Sequence, residues 1–171
     1  MPEGSPVGSL LPSQRLARLI NAQAGELLPA LTGFALFFCL FAGYFMLRPI
    51  REAMGITGGV NNLQWLFSAT FVAMLLAVPL FAWLNSKVAR IHYIDWVYGF
   101  FCANLLLFAA LFLSLRDSAW LARSFYVWIS VYNLFVVSVA WSLMADVFDA
   151  RQAKRLFAFI AAGASVGGLV G

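Results

Sequence analysis

The sequence predicts an all-α fold, a polytopic bundle of transmembrane helices. Apolar residues make up 63% of the chain and charged residues 11%, whereas soluble domains average roughly 45 to 50% and 25%. Four apolar runs are each long enough to cross a hydrocarbon core of roughly 30 Å. A segment inside a bilayer has to satisfy its backbone hydrogen bonds internally, so these runs are predicted to be helices.

The predicted elements begin with a cytoplasmic tail at residues 1–26. In this tail Leu16, Leu19 and Ile20 fall on one face of a short amphipathic helix that would lie on the membrane surface, and an irregular leader is the alternative. Residues 27–171 then form a partial N-terminal transmembrane half. Its complete spans are predicted at 27–47, 63–84, 93–115 and 125–148. The last apolar run, 156–171, covers only about 24 Å as a helix, so we expect a truncated fifth span of a longer protein.

The basic residues predict the orientation of these spans. Seven of the eleven lie before the first span, between the second and third, or after the fourth. The positive-inside bias therefore places the N-terminus and those two connections in the cytoplasm. Basic residues scattered at membrane boundaries do not favour a nucleic acid as partner.

The sequence shows no catalytic or metal-binding set of residues. The lone His92 has no cysteine or carboxylate spacing nearby that could complete a metal site, and no Ser/His/Asp set or phosphate-cradling glycine loop is present. We therefore expect neither an enzyme nor a cofactor or metal site.

The strongest chemical cluster lies at the end of the first span, where Arg48, Arg51 and Glu52 follow one another. Arg48 and Arg51 share a helical face if the helix continues through Pro49. Guanidinium groups that are partly desolvated suit phosphate or carboxylate ligands. The alternative is interfacial snorkelling, with Glu52 neutralising one arginine.

Other polar and small residues give further candidates. Asn104 and Asn133 lie in mid-span, where an amide either bonds between helices or lines a watery path. A charge pair at the predicted cytoplasmic face could act as a gate, and a solvated loop is the alternative; its candidate residues are Lys87, Arg90, Asp146 and Asp149.

Small residues also recur in the last apolar run. Gly163, Gly167 and Gly171 form a smooth strip that lets another helix approach closely. We expect residues beyond 171 to supply that partner.

Two segments carry a resemblance to a known family. Residues 44–52 resemble a Tyr-x-x-Leu-Arg-x-x-Lys/Arg-Asp/Glu pattern, and Ala153-Lys154-Arg155-Leu156-Phe157 resembles an Ala-Lys-Arg-Phe-Tyr run. Both are typical of bacterial members of the major facilitator superfamily related to the ATP/ADP translocases. The chain departs from that group at Gln152, where an acidic residue is usual. It also departs from the loop signature of the superfamily. At Lys87 and Arg90 the chain keeps only the basic character of that signature.

The resemblance implies a twelve-helix secondary transporter of the bacterial inner membrane, of which this chain is the N-terminal part. The partners it implies are the lipid bilayer, a small-molecule substrate and the C-terminal half of the same protein. The resulting hypothesis is alternating-access transport of a small organic solute, anionic or nucleotide-like, with Arg48, Arg51, Glu52, Asn104 and Asn133 at the substrate. The alternative is a non-transporting membrane scaffold that docks through the glycine strip.

Overall fold

The structure, a computed structural model, describes residues 22–23, 25–57, 63–87, 90–115 and 118–171. They form the helices α1 (Leu27–Thr57), α2 (Leu63–Lys87), α3 (Arg90–Ser114), α4 (Ala119–Val147) and α5 (Ala150–Val170). Each is long and apolar enough to cross a membrane, by length and composition, as in an integral membrane protein. The all-α prediction with membrane-length helices is therefore confirmed. The predicted amphipathic helix lies almost wholly outside the described residues.

The helix bounds correct several predicted ends. α1 continues through Pro49 to Thr57 instead of ending at Leu47. α4 begins earlier than predicted, after Ser118, whose hydroxyl accepts a hydrogen bond from the Leu121 N–H at 3.3 Å. α5 begins at Ala150 because Asp149 and Gln152 form a capping box that makes the polar first turn helical. From Ala150 the helix is long and apolar enough to cross a membrane, by length and composition, whereas the sequence prediction counted only residues 156–171.

α4 is the central helix and contributes to two separate apolar cores. The first core joins α4 to α1 and α5 through residues that include Phe37, Met144 and Ile160. The second joins α4 to α2 and α3 through residues that include Phe101 and Phe135. Most of the remaining surface of α2 and α3 is exposed and apolar, as expected of helices that face lipid.

The contacts between helices show that the chain direction alternates. Arg51 of α1 reaches Ser130 near the start of α4, whereas Phe37 meets Trp141 near its end, so α1 and α4 are antiparallel. The same reasoning makes α2 parallel and α3 antiparallel to α4, from four ring contacts: Phe67 with Tyr126, Phe81 with Phe135, Phe101 with Phe135, and Phe108 with Phe125. Consecutive helices therefore run in opposite directions, as they do when each crosses a bilayer once.

The glycine strip of α5 packs directly on the backbone of α1. A Cβ atom added at Gly163, Gly167 or Gly171 would lie far inside contact distance of the carbonyl oxygens of Phe34, Phe38 and Ala42, respectively. The residue numbers of the contacting pairs increase together on α5 and α1, so the two helices run parallel. We call this contact the glycine seam. Its partner helix is α1, within the chain, and not a segment beyond residue 171 as predicted.

Four exposed tryptophans form two bands. Trp65 and Trp120 lie at the starts of α2 and α4, and Trp83 and Trp96 lie at the end of α2 and the start of α3; all four side chains are more than half exposed. At 1.5 Å per residue, Trp65 and Trp83 are about 27 Å apart along α2. Tryptophan is enriched at the two membrane–water interfaces, and this spacing fits a hydrocarbon core of roughly 30 Å.

Candidate functional site

The two ends of the bundle carry different charged groups. Because chain direction alternates, the end of α1 and the starts of α2 and α4 lie together, and this arginine end contains Arg48, Arg51 and Arg123. The starts of α1 and α5 and the end of α4 form the opposite end. There Glu26, Gln152 and Arg155 meet, and we call it the clasp end.

Arg51 lies between α1 and α4. Its Nη1 donates a hydrogen bond to the Ser130 Oγ at 3.3 Å, its Nη2 pairs with the Glu52 carboxylate, and its guanidinium carbon lies 5.0 Å from the Tyr126 ring centroid. The Arg51 side chain is only 18% exposed, and its Nε is buried without a hydrogen-bond partner among the described residues. A partly desolvated cation thus keeps one unused donor.

Tyr126 and Ser130 form a built platform for this guanidinium. They lie one turn apart on α4, both buried, and the Ser130 hydroxyl donates to the Tyr126 carbonyl oxygen at 3.1 Å. That bond directs the lone pairs of Oγ toward Arg51. Gly55 lies over the Tyr126 ring, where an added Cβ would be 2.9 Å from Cε2. A residue without a side chain therefore lets the last turns of α1 lie flat on the ring.

Arg48 has different neighbours, although α1 continues through Pro49 as the shared-face expectation required. Its guanidinium lies 5.6 Å from the Phe45 ring, and that ring packs on Gly168 of α5. Arg48 is exposed. The two arginines therefore point toward different helices, and only Arg51 contacts the α4 platform.

The remaining predicted substrate residues are only partly brought together. Glu52 lies at Arg51 and is 50% exposed, so it neutralises that arginine from the solvent side. Asn133 falls on the same face of α4 as Tyr126, two turns deeper into the span. Asn104 donates its Nδ2 hydrogen to the Phe100 carbonyl oxygen at 2.9 Å. This bond stays within α3, a helix that packs on α4 and supplies no contact to the Arg51 site.

At the clasp end a carboxylate joins α1 to α5. Glu26 Oε1 accepts hydrogen bonds from Gln152 Nε2 at 3.0 Å and from Arg155 Nη2 at 2.9 Å. Glu26 Oε2 accepts one from the backbone N–H of Gln23 at 2.8 Å. Gly25, whose φ of 88° is unfavourable for residues with a Cβ, makes the turn that brings Glu26 into this position.

These hydrogen bonds change the titration of Glu26, which precedes the membrane-length segment. The pKa of the Glu26 carboxyl is lowered from its ordinary 4.5, chiefly by the hydrogen bond from the Gln23 N–H. Desolvation opposes this shift, and the donors on Arg155 and Gln152 add to it. The carboxylate is therefore charged at neutral pH and balances Arg155.

The structure describes the side chains of two predicted gate residues, Asp146 and Asp149, and places them in different environments. Asp149 caps α5, because its Oδ1 accepts from the backbone N–H groups of Arg151 and Gln152, both at 2.8 Å. Asp146 is exposed near the end of α4. The side chains of Lys87 and Arg90 lie outside the described residues, so the pairing of Arg90 with either aspartate stays a prediction.

Sequence reasoning did not find Glu26 or Tyr126 as functional residues. Glu26 is separated from Arg155 by most of the chain, and no local pattern joins them. Tyr126, Ser130 and Asn133 do recur at helical spacing on one face of α4, which is a signal that sequence could have supplied.

A cavity at the arginine end lies between the starts of α2 and α4. It has a volume of about 600 Å³, and its lining includes Trp65, Trp120, Arg123 and Trp128. The guanidinium of Arg123 lies 5.5 Å from the Trp120 ring centroid. On α4, Arg123 lies one turn before Tyr126 and two turns before Ser130, so this cavity borders the platform, whereas Trp120, Ser124 and Trp128 lie on another face of the helix.

Comparisons with protein-family models, curated proteins and solved structures give no match to this chain.

Proposed function

We propose that this chain is part of a membrane secondary transporter that binds a small organic anion at Arg51. The observation that carries the proposal is the state of the Arg51 guanidinium. It is mostly buried between two membrane-length helices, held in orientation by Ser130 and Tyr126, and has a buried Nε without a partner among the described residues. Ionisable groups in such helices are expensive to bury and commonly mark solute pathways.

The chemistry of the site fits exchange of one anion for another. Guanidinium keeps its charge and offers paired donors to carboxylate or phosphate oxygens. In the structure the guanidinium of Arg51 pairs with the carboxylate of Glu52, a half-exposed neighbour on the same helix. An incoming anion can replace Glu52 on Nη2, so binding leaves no buried charge unpaired.

The helix arrangement gives this site a means of moving. The glycine seam and the clasp hold α1 on α5, so Arg51 would move with both helices as one body. Alternating access would come from rocking of this body against further helices of a major facilitator fold. The motif resemblance at residues 44–52, which contain Arg51, supports that fold.

The scaffold alternative loses its main support. Its docking face was the glycine strip, and that strip is covered by α1. No other specific observation favours a scaffold over a transporter.

The test is uptake by the full-length protein in proteoliposomes with labelled ATP, glucose 6-phosphate and succinate. Arg51→Ala should abolish uptake of the transported anion while leaving membrane abundance intact, and Arg51→Lys should restore only part because it lacks the planar fork. Arg48→Ala is the matched control: it removes the same charge from an exposed position, and we expect it to retain most uptake. Unchanged transport kinetics in Arg51→Ala would exclude this assignment, and no uptake of any of the three anions would favour the scaffold.

A further inference from the structure

The cavity between the starts of α2 and α4 has the features of a lipid site. Its mouth is flanked by Trp65 and Trp120, which are 76% and 77% exposed and belong to one tryptophan band. That band marks the membrane–water interface. The cavity therefore opens at the depth where phospholipid headgroups meet the acyl chains.

The lining combines one cation with apolar side chains. Leu66 and Ala69 of α2 continue inward from Trp65 and offer an apolar surface along the helix. Arg123 lies beside them on α4, stacked on Trp120. Arg123 thus complements the charge of a phosphodiester at the mouth, and the apolar side chains suit an acyl chain below it.

Trp128 adds an unused donor to the same cavity. Its ring packs against Phe125 and Tyr132 on α4, but its Nε1 is buried without an acceptor among the described residues. A buried N–H without a partner costs free energy, and tryptophan usually finds one. A phosphate or ester oxygen of a bound lipid is an acceptor of the right kind.

We infer that this cavity, lined by Arg123, Trp120 and Trp128 between α2 and α4, binds one anionic phospholipid. Its headgroup phosphate would lie at Arg123 and its acyl chain along Leu66 and Ala69. The site is formed by residues other than Arg51, and the inference does not depend on transport.

The test is native mass spectrometry of the purified chain, titrated with phosphatidylglycerol or with phosphatidylcholine of the same acyl length. We expect one phosphatidylglycerol to bind more tightly than phosphatidylcholine. Arg123→Gln should weaken phosphatidylglycerol about fivefold, the effect of one cation near a lipid surface. Arg48→Gln, which removes an exposed arginine from the same end, should leave lipid binding unchanged.

A second variant separates the contribution of the cavity space to lipid binding from that of the Arg123 charge. Ala69→Trp keeps Arg123 but fills the cavity, and it should reduce retention of both lipids. Equal binding of the two lipids, or equal losses in Arg123→Gln and Arg48→Gln, would overturn the inference by showing only diffuse attraction. Displacement of phosphatidylglycerol by millimolar inorganic phosphate, or a lipid-free dimer closed over the cavity, would overturn it as well. Arg51→Gln should keep the lipid, so failure of the transport proposal is distinguishable from failure here.

Discussion

The clasp end and the arginine end of this bundle use the same kinds of charged group in opposite ways. At the clasp end the Glu26 carboxylate accepts hydrogen bonds from the backbone, an amide and Arg155, all from within the chain. At the arginine end Arg51 has a single half-exposed carboxylate, and its Nε is buried without a partner among the described residues.

The difference separates structural charges from candidate functional ones. A charged group that already has several hydrogen-bond partners within the protein stabilises the contact that it bridges. A ligand can add no further hydrogen bond to such a group. A desolvated cation with one replaceable partner gains from a ligand anion. We therefore propose that the Glu26–Arg155 pair is structural and that Arg51 binds a ligand, and the following predictions test that division.

The largest effect on stability is expected at the glycine seam, which holds the clasp end together. Gly163→Ala places a methyl group against the Phe34 carbonyl, where backbone has to move, so we expect a loss of about 1 to 3 kcal/mol in the free energy of unfolding. The matched control is Gly43→Ala in α1, where an added Cβ meets nothing within 4 Å. Thermal unfolding in detergent measures both. Equal effects of the two substitutions would show that the seam is not tight.

A smaller effect is expected from removing the amide that links the clasp to the helix cap. Gln152→Ala deletes one half of the capping box and one donor to Glu26, so we expect a loss of about 1 kcal/mol. Lys154→Ala, an exposed position on the same turn, serves as control in the same unfolding measurement. If the two variants unfold alike, Gln152 does not support the clasp.

The smallest effect on thermal stability is expected from a change in pH. The direction of that effect follows from the lowered pKa of Glu26. A lowered folded-state pKa gives stability that is present above the ordinary 4.5 and is lost as pH falls through the folded-state value. We expect wild type to lose thermal stability in that acidic range more steeply than Glu26→Gln. A Glu26→Gln profile as steep as that of wild type would contradict the clasp.

Sequence predicts the helices of this fold well because long apolar runs in a bilayer have few alternatives to a helix. It misses ends that depend on polar residues. In sequence, residues 150–155 resemble a charged loop, but the capping box of Asp149 and Gln152 makes them helical. Likewise, α1 continues through Pro49 although proline commonly ends a helix.

The candidate site is predictable only in part. Arg51 stands out in sequence because it follows an apolar span together with Arg48 and Glu52. Its separation from Arg48 could not be predicted, since it depends on which helix packs beside each turn of α1. The Glu26 and Arg155 pair likewise requires the parallel packing of α1 on α5, which local pattern does not encode.

The most direct test of the division between the two ends is a thermal-shift titration of one arginine variant from each end. ATP, glucose 6-phosphate and succinate would be added to purified wild type, Arg51→Gln and Arg155→Gln. We predict that Arg51→Gln unfolds near the wild-type temperature but loses stabilisation by the anion, whereas Arg155→Gln unfolds at a lower temperature and keeps it. Retained anion stabilisation in Arg51→Gln, or its loss in Arg155→Gln, would contradict the assignment of Arg51 as the anion-binding residue.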